Sequence, residues 1–122
     1  PQDIALLDAQ KGIEMFRKVN VPILGVIENM AVHVCPKCGH REHIFGSEGA
    51  DKLSSDYDVR TLTSLPLDIN IREKSDAGNP VVISLPNSEL SRCFEVAAIA
   101  ILETLETKED KVDFPEIKIS ED

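Results

Sequence analysis

The chain has 122 residues, of which 42% are hydrophobic and 29% charged, a composition typical of one soluble globular domain. Its 22 acidic and 13 basic residues give a net charge of −9, which argues against a nucleic-acid partner and against an anionic membrane surface. No apolar run approaches the length of a membrane span. Three cysteines, an odd number, favour a reducing compartment and metal or redox use over a disulfide framework.

The chain begins with a predicted helix and a predicted buried strand. Apolar residues recur at helical spacing over residues 3–19, and Asp3 is the expected cap of this helix. The residues expected on its buried face are Leu6, Ala9, Ile13 and Phe16. Residues 21–28 are apolar at odd and even positions alike, which is typical of a parallel strand covered on both faces. Gly25 marks a place where a neighbouring helix or a ligand could come close.

The middle of the chain contains a loop, a short helix and a second strand. Residues 31–46 are rich in Cys, His and Gly and are predicted to form the loop. Residues 47–57 are predicted to form the helix, with Ser47 as its cap. The second strand is predicted within residues 59–68, ending at Pro66.

The last third of the chain is dominated by a long predicted helix. Residues 72–80 are polar and predict a turn region, and residues 80–84 form a short apolar run that is a third strand candidate. A helix is predicted over residues 86–106, with Asn87 or Ser88 as its cap. The residues expected on its buried face are Leu90, Phe94, Ala97, Ile101 and Leu105.

This order of elements indicates an α/β fold with a mainly parallel sheet, and specifically the second half of a doubly wound domain. The strand predicted at 21–28 needs neighbours on both sides, and the chain offers few. Residues 1–106 are predicted to be the folded part, and residues 107–122 an acidic, mobile tail. The sequence contains no G-x-x-x-x-G-K-[ST] phosphate-binding loop.

The strongest local signal is a C-x-x-C motif formed by Cys35 and Cys38. Such a turn brings two thiolates within reach of one metal ion, but two thiolates do not complete a tetrahedral site. His40 and His43 could complete it as a local Cys₂His₂ zinc site. Cys93 could also join, although a core position suits it better. A second copy of the chain could supply its own cysteine pair, a ligand set that an iron–sulfur cluster accepts.

A purely structural interpretation of the cysteine pair stays open at this point. The motif could be a zinc knuckle that only staples the loop, or a reduced thiol pair without metal. Thioredoxin-like redox chemistry is less favoured, because Pro36 and Gly39 predict a knuckle-like turn rather than the start of a helix.

Longer segments of the chain resemble one known family. The segments are "PQDIALLDAQKGIEMFRKVNVPILGVIENM", "CPKCGH", "IFGSEGADKL", "LPLDINIREKSDAGNPVV" and "PNSEL". Together they resemble the C-terminal half of the Mrp/ApbC family, which are P-loop ATPases of the MinD/ParA-like group that carry iron–sulfur clusters. The resemblance runs from Pro1 to about Leu105, and it is specific because C-x-x-C stands between "GVIENM" and "IFGSEGA".

The resemblance implies a cytoplasmic homodimer joined through the C-x-x-C loop. A [4Fe–4S] cluster would be bridged by Cys35 and Cys38 of two subunits and passed to apo iron–sulfur proteins, with zinc as a possible substitute. The alternative is a small zinc-binding structural or interaction module without ATPase function. A further alternative is a half-domain whose exposed sheet edge recruits itself or a missing half.

The resemblance also implies a nucleotide site. In such ATPases an Asn at the position of Asn29 hydrogen-bonds the adenine, and the segment of Pro66, Leu67 and Asp68 flanks the base. Both positions follow predicted parallel strands, where ligands bind in open α/β sheets. ATP and Mg²⁺ would be bound by the full-length parent, whose phosphate-binding loop these 122 residues do not contain. We therefore expect the chain alone to be catalytically inactive.

Overall fold

A computed structural model describes residues 1–107, and the tail predicted at 107–122 lies outside the described residues except for Thr107. The helices and strands, in chain order, are α1 (Asp3–Lys18), β1 (Val26–Glu28), β2 (His33–Val34), β3 (Arg41–Glu42), α2 (Gly49–Tyr57), β4 (Thr61–Ser64), α3 (Ile69–Asp76), α4 (Val81–Ser84) and α5 (Glu89–Glu106). No helix within residues 1–107 combines the length and apolar character needed to cross a membrane.

The central feature is the parallel pairing of β1 with β4. Val26 pairs with Thr61 and Glu28 with Ser64, with an irregularity after Val26. Hydrogen bonding continues past both strands, because the Ala31 N–H donates to the Leu65 carbonyl at 2.9 Å. The predicted α/β class with a parallel sheet is confirmed. Within residues 1–107, β4 is the one strand that pairs with β1. The second neighbour expected for β1 is therefore not among these residues.

Helices pack on this strand pair and form the core. The buried cluster consists of Ile13 of α1, Leu53 of α2 and Val59 just before β4, with Leu6 and Ala9 of α1 packed against it. Helix α5 packs on β4 and on α4. The predicted inward face of α1 is therefore confirmed at Leu6, Ala9 and Ile13.

Gly25 lies at a close approach, as predicted, but the neighbour is a strand rather than a helix or a ligand. A Cβ atom at this position would lie 2.5 Å from the carbonyl oxygen of Arg60 and 2.7 Å from the side chain of Leu62. The Arg60 carbonyl also accepts a hydrogen bond from the Val26 N–H at 2.8 Å. The absence of a side chain at residue 25 thus lets the chain enter β1 directly beside β4.

Two helix caps differ from the prediction. Gln2, not Asp3, occupies the cap position of α1 and makes no side-chain capping bond, while Asp3 lies in the first turn. An acidic side chain there still favours the positive end of the helix dipole. Helix α2 begins at Gly49, so the cap position falls on Glu48 at φ 65° and not on Ser47. At α5 the cap is Ser88, whose Oγ accepts from the Ser91 N–H.

The segment predicted as a turn and the third strand candidate are both helical. Asp68 caps α3 by accepting the Asn70 N–H at 2.7 Å, which starts a helix in a stretch with little apolar periodicity. The Pro80 carbonyl accepts from the Ile83 and Ser84 N–H groups at 2.9 Å, so the apolar run after it forms the single helical turn α4. β-branched residues alone do not make a strand where no neighbouring strand is available.

The predicted buried faces of α1 and α5 each included one residue, at the C-terminal end of the face, that is exposed in the structure. Phe16 is 43% exposed and Leu105 is 45% exposed, whereas Ala97 and Ala100 of α5 are buried. The neighbouring elements cover each long helix over a narrow strip, so apolar residues outside that strip remain in contact with solvent. The strands are also shorter than predicted, because regular pairing starts only after Gly25 and stops before Leu65.

Candidate metal centre and strand-end site

The cysteine motif lies at the tip of a small antiparallel hairpin, a feature that the predicted loop over residues 31–46 did not include. Strands β2 and β3 pair His33 with Glu42 and Val34 with Arg41. The turn that joins them is closed by two hydrogen bonds of 2.9 Å, from the Cys35 N–H to the His40 carbonyl and from the Gly39 N–H to the Cys35 carbonyl. The hairpin therefore holds both cysteines in one closed turn.

The two thiols at the tip are free and accessible. Cys35 is half-buried and Cys38 is exposed. The pKa of the Cys35 thiol lies below its usual value, because the backbone N–H groups of Lys37 and Cys38 point at its sulfur, with a further contribution from the Cys38 thiol. Donors aimed at a sulfur favour the thiolate, the form that binds soft metals. The turn thus fits a thiophilic metal or cluster in its donor atoms and in its exposure.

The histidines near the motif are engaged in backbone hydrogen bonds. His43 Nδ1 lies 2.8 Å from the Ala31 carbonyl oxygen, and His33 Nδ1 lies 3.2 Å from that of Leu67. A carbonyl oxygen only accepts, so each Nδ1 carries the proton. Among residues 1–107, no group of three or more Cys, His, Asp or Glu side chains converges as a metal site would require. The local Cys₂His₂ arrangement is therefore not assembled within the described chain, and two thiolates are what one copy offers.

Cys93 lies on α5, outside the C-x-x-C turn. It is half-buried, not in the core where it was expected, and it lines a cavity of about 490 Å³ between α5 and the hairpin. Arg41 of β3 and Pro36 of the cysteine turn line the same cavity. The sequence carried no signal for this cavity, because its walls come from segments more than fifty residues apart.

The four residues assigned to the nucleotide base lie at adjoining ends of β1 and β4. Asn29 directly follows β1 and is exposed, and its Oδ1 accepts from the Met30 N–H at 2.9 Å. Pro66, Leu67 and Asp68 follow β4 and line the 490 Å³ cavity. Asn29 does not contribute to the lining of that cavity. The structure thus brings the two segments to one edge of the sheet, with the Asn29 amide turned onto its own backbone.

Glu28, the last residue of β1, makes structural contacts beside Asn29 that the sequence did not reveal. One carboxylate oxygen accepts from the Ala50 N–H at 3.1 Å, and the other accepts from the Ser64 hydroxyl at 3.3 Å. The carboxylate thereby fixes the first turn of α2 and the end of β4 against the end of β1. This contact holds the strand ends in register beside Asn29.

The parallel strand pair with helices packed on it, and with ligand-type residues at the strand ends, defines part of a P-loop nucleotide-binding α/β domain. A solved structure of similar fold is the nucleotide-binding protein of Archaeoglobus fulgidus in complex with ADP, in which cobalt was found. It matches with a TM-score of 0.54 and 30% identity over 67% of this chain and 32% of that one. The model of a ParA family, the NUBPL iron-transfer P-loop NTPases, matches residues 1–102. The chain belongs to this family, which confirms the resemblance drawn from the sequence.

Curated relatives carry matching names. An iron–sulfur cluster carrier protein of Pseudomonas fragi is 57% identical over 99 residues, which are 81% of this chain and 34% of the relative. The iron–sulfur cluster transfer protein NUBPL of Mus musculus is 51% identical over 107 residues, 88% of this chain and 34% of the relative. The carrier protein of Escherichia coli K12 is 54% identical over 98 residues, 80% of this chain and 27% of the relative. The chain thus spans about a third of the length of the curated relatives it matches.

Proposed function

We propose that the chain is the cargo-holding part of an iron–sulfur cluster carrier, which binds a cluster and transfers it to apo iron–sulfur proteins. The observation that carries the proposal is the exposed hairpin tip with two free thiols, Cys35 and Cys38. The names of the bacterial and mouse relatives support it. The cluster is cargo, so the site has to release it, and a turn at the surface leaves an acceptor room to approach.

The ligand count favours a cluster shared by two copies of the chain. A [4Fe–4S] cluster is held by four cysteine thiolates, and one hairpin supplies two. With no third ligand converging within residues 1–107, a second hairpin is the simplest source of the remaining pair. The proposed assembly is therefore a homodimer joined through its two C-x-x-C turns. Zn²⁺ accepts the same four thiolates in tetrahedral geometry and is the expected substitute where the cluster has been lost.

The proposed nucleotide site lies at the strand ends. Asn29 offers an amide donor and acceptor for an adenine edge once its side chain turns away from Met30, and residues 66–68 would flank the base. The position at the carboxyl ends of parallel strands and the ADP bound by the Archaeoglobus fulgidus protein support this assignment. ATP and Mg²⁺ would be bound in the full-length parent, because cradling the phosphates requires a P-loop that these residues do not contain.

The proposed compartment is the cytoplasm, where thiols are kept reduced. The bacterial relatives support it. Fractionation of the source cells, followed by detection of the protein with an antibody, tests this assignment. Recovery from an oxidising compartment would contradict it.

Anaerobic reconstitution with iron and sulfide tests the shared cluster. We expect about two irons per chain, as one [4Fe–4S] cluster per dimer requires, and a cluster-dependent dimer in sedimentation. Cys35→Ser or Cys38→Ser should abolish both the cluster and the dimer. Cys93→Ser is the matched control and should retain both, since Cys93 lies on α5 and is not part of the C-x-x-C turn. A complete cluster on a monomer would overturn the shared site, and iron retained by the Cys35→Ser/Cys38→Ser double variant would overturn the site itself.

Transfer is tested with the loaded protein and an apo-protein that accepts a [4Fe–4S] cluster. We expect the acceptor to gain its cluster absorbance as the carrier loses its own, with a chelator in solution failing to intercept the iron. Loss of the cluster to the chelator without gain by the acceptor would show storage or decay, not transfer.

A further inference from the structure

We propose that His33 is a positioning residue that couples the strand-end segment 66–68 to the cysteine hairpin, so that a change at the strand ends alters the exposure of Cys35. This inference rests on the proposed function, in which the hairpin holds the cluster and residues 66–68 flank a nucleotide base. His33 binds neither the cluster nor the nucleotide in this proposal. Its role is to connect the two sites.

The backbone of Leu67 is bound on both sides to the root of the hairpin. Its N–H donates to the Val32 carbonyl at 2.9 Å. Leu67 also forms an isolated parallel bridge with His33. The strand-end segment is therefore hydrogen-bonded to the hairpin itself, and a displacement of Leu67 displaces the first residues of β2.

The side chain of His33 adds a second connection at the same point. Its Nδ1 donates to the Leu67 carbonyl at 3.2 Å, and the residue is half-buried. On its other side His33 pairs with Glu42 of β3. His33 is thus shared between the pairing within the hairpin and the contact with the strand end, two residues before Cys35.

The two ends of this connection differ in how firmly they are held. Leu67 lies between Pro66, whose ring fixes φ, and Asp68, which caps α3 through the Asn70 N–H at 2.7 Å. Among the described residues, the backbone of the tip beyond β2 and β3 is closed by two hydrogen bonds of its own turn, from the Cys35 and Gly39 N–H groups. A shift imposed at residues 66–68 would therefore move the hairpin as a unit from its root.

The test measures the alkylation rate of Cys35 in the metal-free chain. Cys35 reports on the hairpin, and amide hydrogen exchange of α1, which lines no part of the cavity beside the hairpin, reports on general loosening of the fold. Iodoacetamide labelling and hydrogen exchange are both followed by peptide mass spectrometry. His33→Phe keeps the ring but removes the donor, and His33→Asn places an amide N–H near the position of Nδ1.

We expect His33→Phe to speed alkylation of Cys35 by roughly two- to tenfold, the range set by one lost hydrogen bond, with hydrogen exchange of α1 unchanged. His33→Asn should restore the original rate. His40→Phe, a substitution at an exposed residue of the turn, is the matched control and should leave the Cys35 rate within twofold. Faster hydrogen exchange of α1 together with faster alkylation of Cys35 would mean a general loss of structure and would overturn the assignment.

The coupling between residues 66–68 and the hairpin is tested by a substitution in the strand-end segment. Asp68→Ala removes the cap of α3 and frees the strand-end segment, so it should also speed alkylation of Cys35. In the His33→Phe background the same substitution should have little further effect, because the connection is already broken. Independent, multiplicative effects of the two substitutions would overturn the coupling. Since the assay needs no cluster, failed reconstitution would count against the proposed function and leave this result standing.

Discussion

Replacing Gly25 with Ala tests whether the close contact between β1 and β4 holds the site together. The new Cβ would lie 2.5 Å from the Arg60 carbonyl oxygen, closer than real Cβ atoms come to any backbone atom. That carbonyl cannot retreat freely, because it accepts the Val26 N–H at 2.8 Å. The substitution must therefore separate the two strands or weaken the hydrogen bond that starts their pairing.

The magnitude follows from two opposing effects. Overpacking a tight contact costs about 1–3 kcal/mol in unfolding free energy. Removing a glycine returns about 0.4–1 kcal/mol, because the unfolded chain loses freedom. The middle of each range gives a net destabilisation of about 1.3 kcal/mol. For a domain of this size that corresponds to a melting temperature lower by roughly 5–10 °C.

Gly12→Ala is the matched control, since a Cβ at Gly12 in α1 meets nothing within 4 Å. Alanine is favoured over glycine inside a helix, so this variant should gain up to about 1 kcal/mol. Thermal unfolding followed by far-UV circular dichroism, at one protein concentration, measures both variants against the parent chain. If Gly25→Ala were as stable as the parent, or if the two variants shifted in the same direction, the close contact between Gly25 and Arg60 would be refuted.

Four further expectations follow from the same structure. Ser88→Ala should cost about 1 kcal/mol in urea unfolding, because Ser88 Oγ caps α5, whereas Asn87→Ala should cost little; equal losses would contradict the cap assignment. The 122 residues should hydrolyse no ATP, and phosphate release above background by a purified sample would contradict this. Aerobically purified protein should carry zinc or no metal at the cysteine turn, and an intact cluster in its absorption spectrum would contradict the expected oxygen sensitivity of an exposed site. The chain should sediment as an oligomer or precipitate, since β1 has one neighbour within residues 1–107; a stable monomer would count against it.

The features predicted well from the sequence are those with a strong local signal. Helices α1 and α5 carry apolar residues at helical spacing over many turns, and Ser88 stands directly before one of them. Gly25 interrupts an apolar stretch, and this pattern predicted that another segment lies close to residue 25 without predicting which segment. The cysteine spacing placed a soft-ligand turn after β1, where the structure has it.

The features missed from the sequence depend on contacts between distant segments. Helix α3 is polar after Ile71 and begins at the Asp68 cap, so it shows little apolar periodicity. Strands β2 and β3 have two residues each, too few for alternation to be visible. Their position is set by hydrogen bonds of residues 31–33 to residues 65–67, a pairing across more than thirty residues.

This long-range pairing joins the two candidate sites. The chain leaves β1 at Glu28, stays hydrogen-bonded along the continuation of β4 as far as His33, and reaches Cys35 two residues later. Two residues of extended chain span roughly 7 Å, so the cysteine turn lies close to the segment that would flank a nucleotide base. The proposed signal between the sites therefore needs no separate domain or hinge, because a small displacement along one strand end would be transmitted through backbone hydrogen bonds. If the cargo were instead controlled through the dimer contact alone, the alkylation rate of Cys35 in the metal-free chain would not depend on Asp68, and the double-variant experiment separates these two mechanisms.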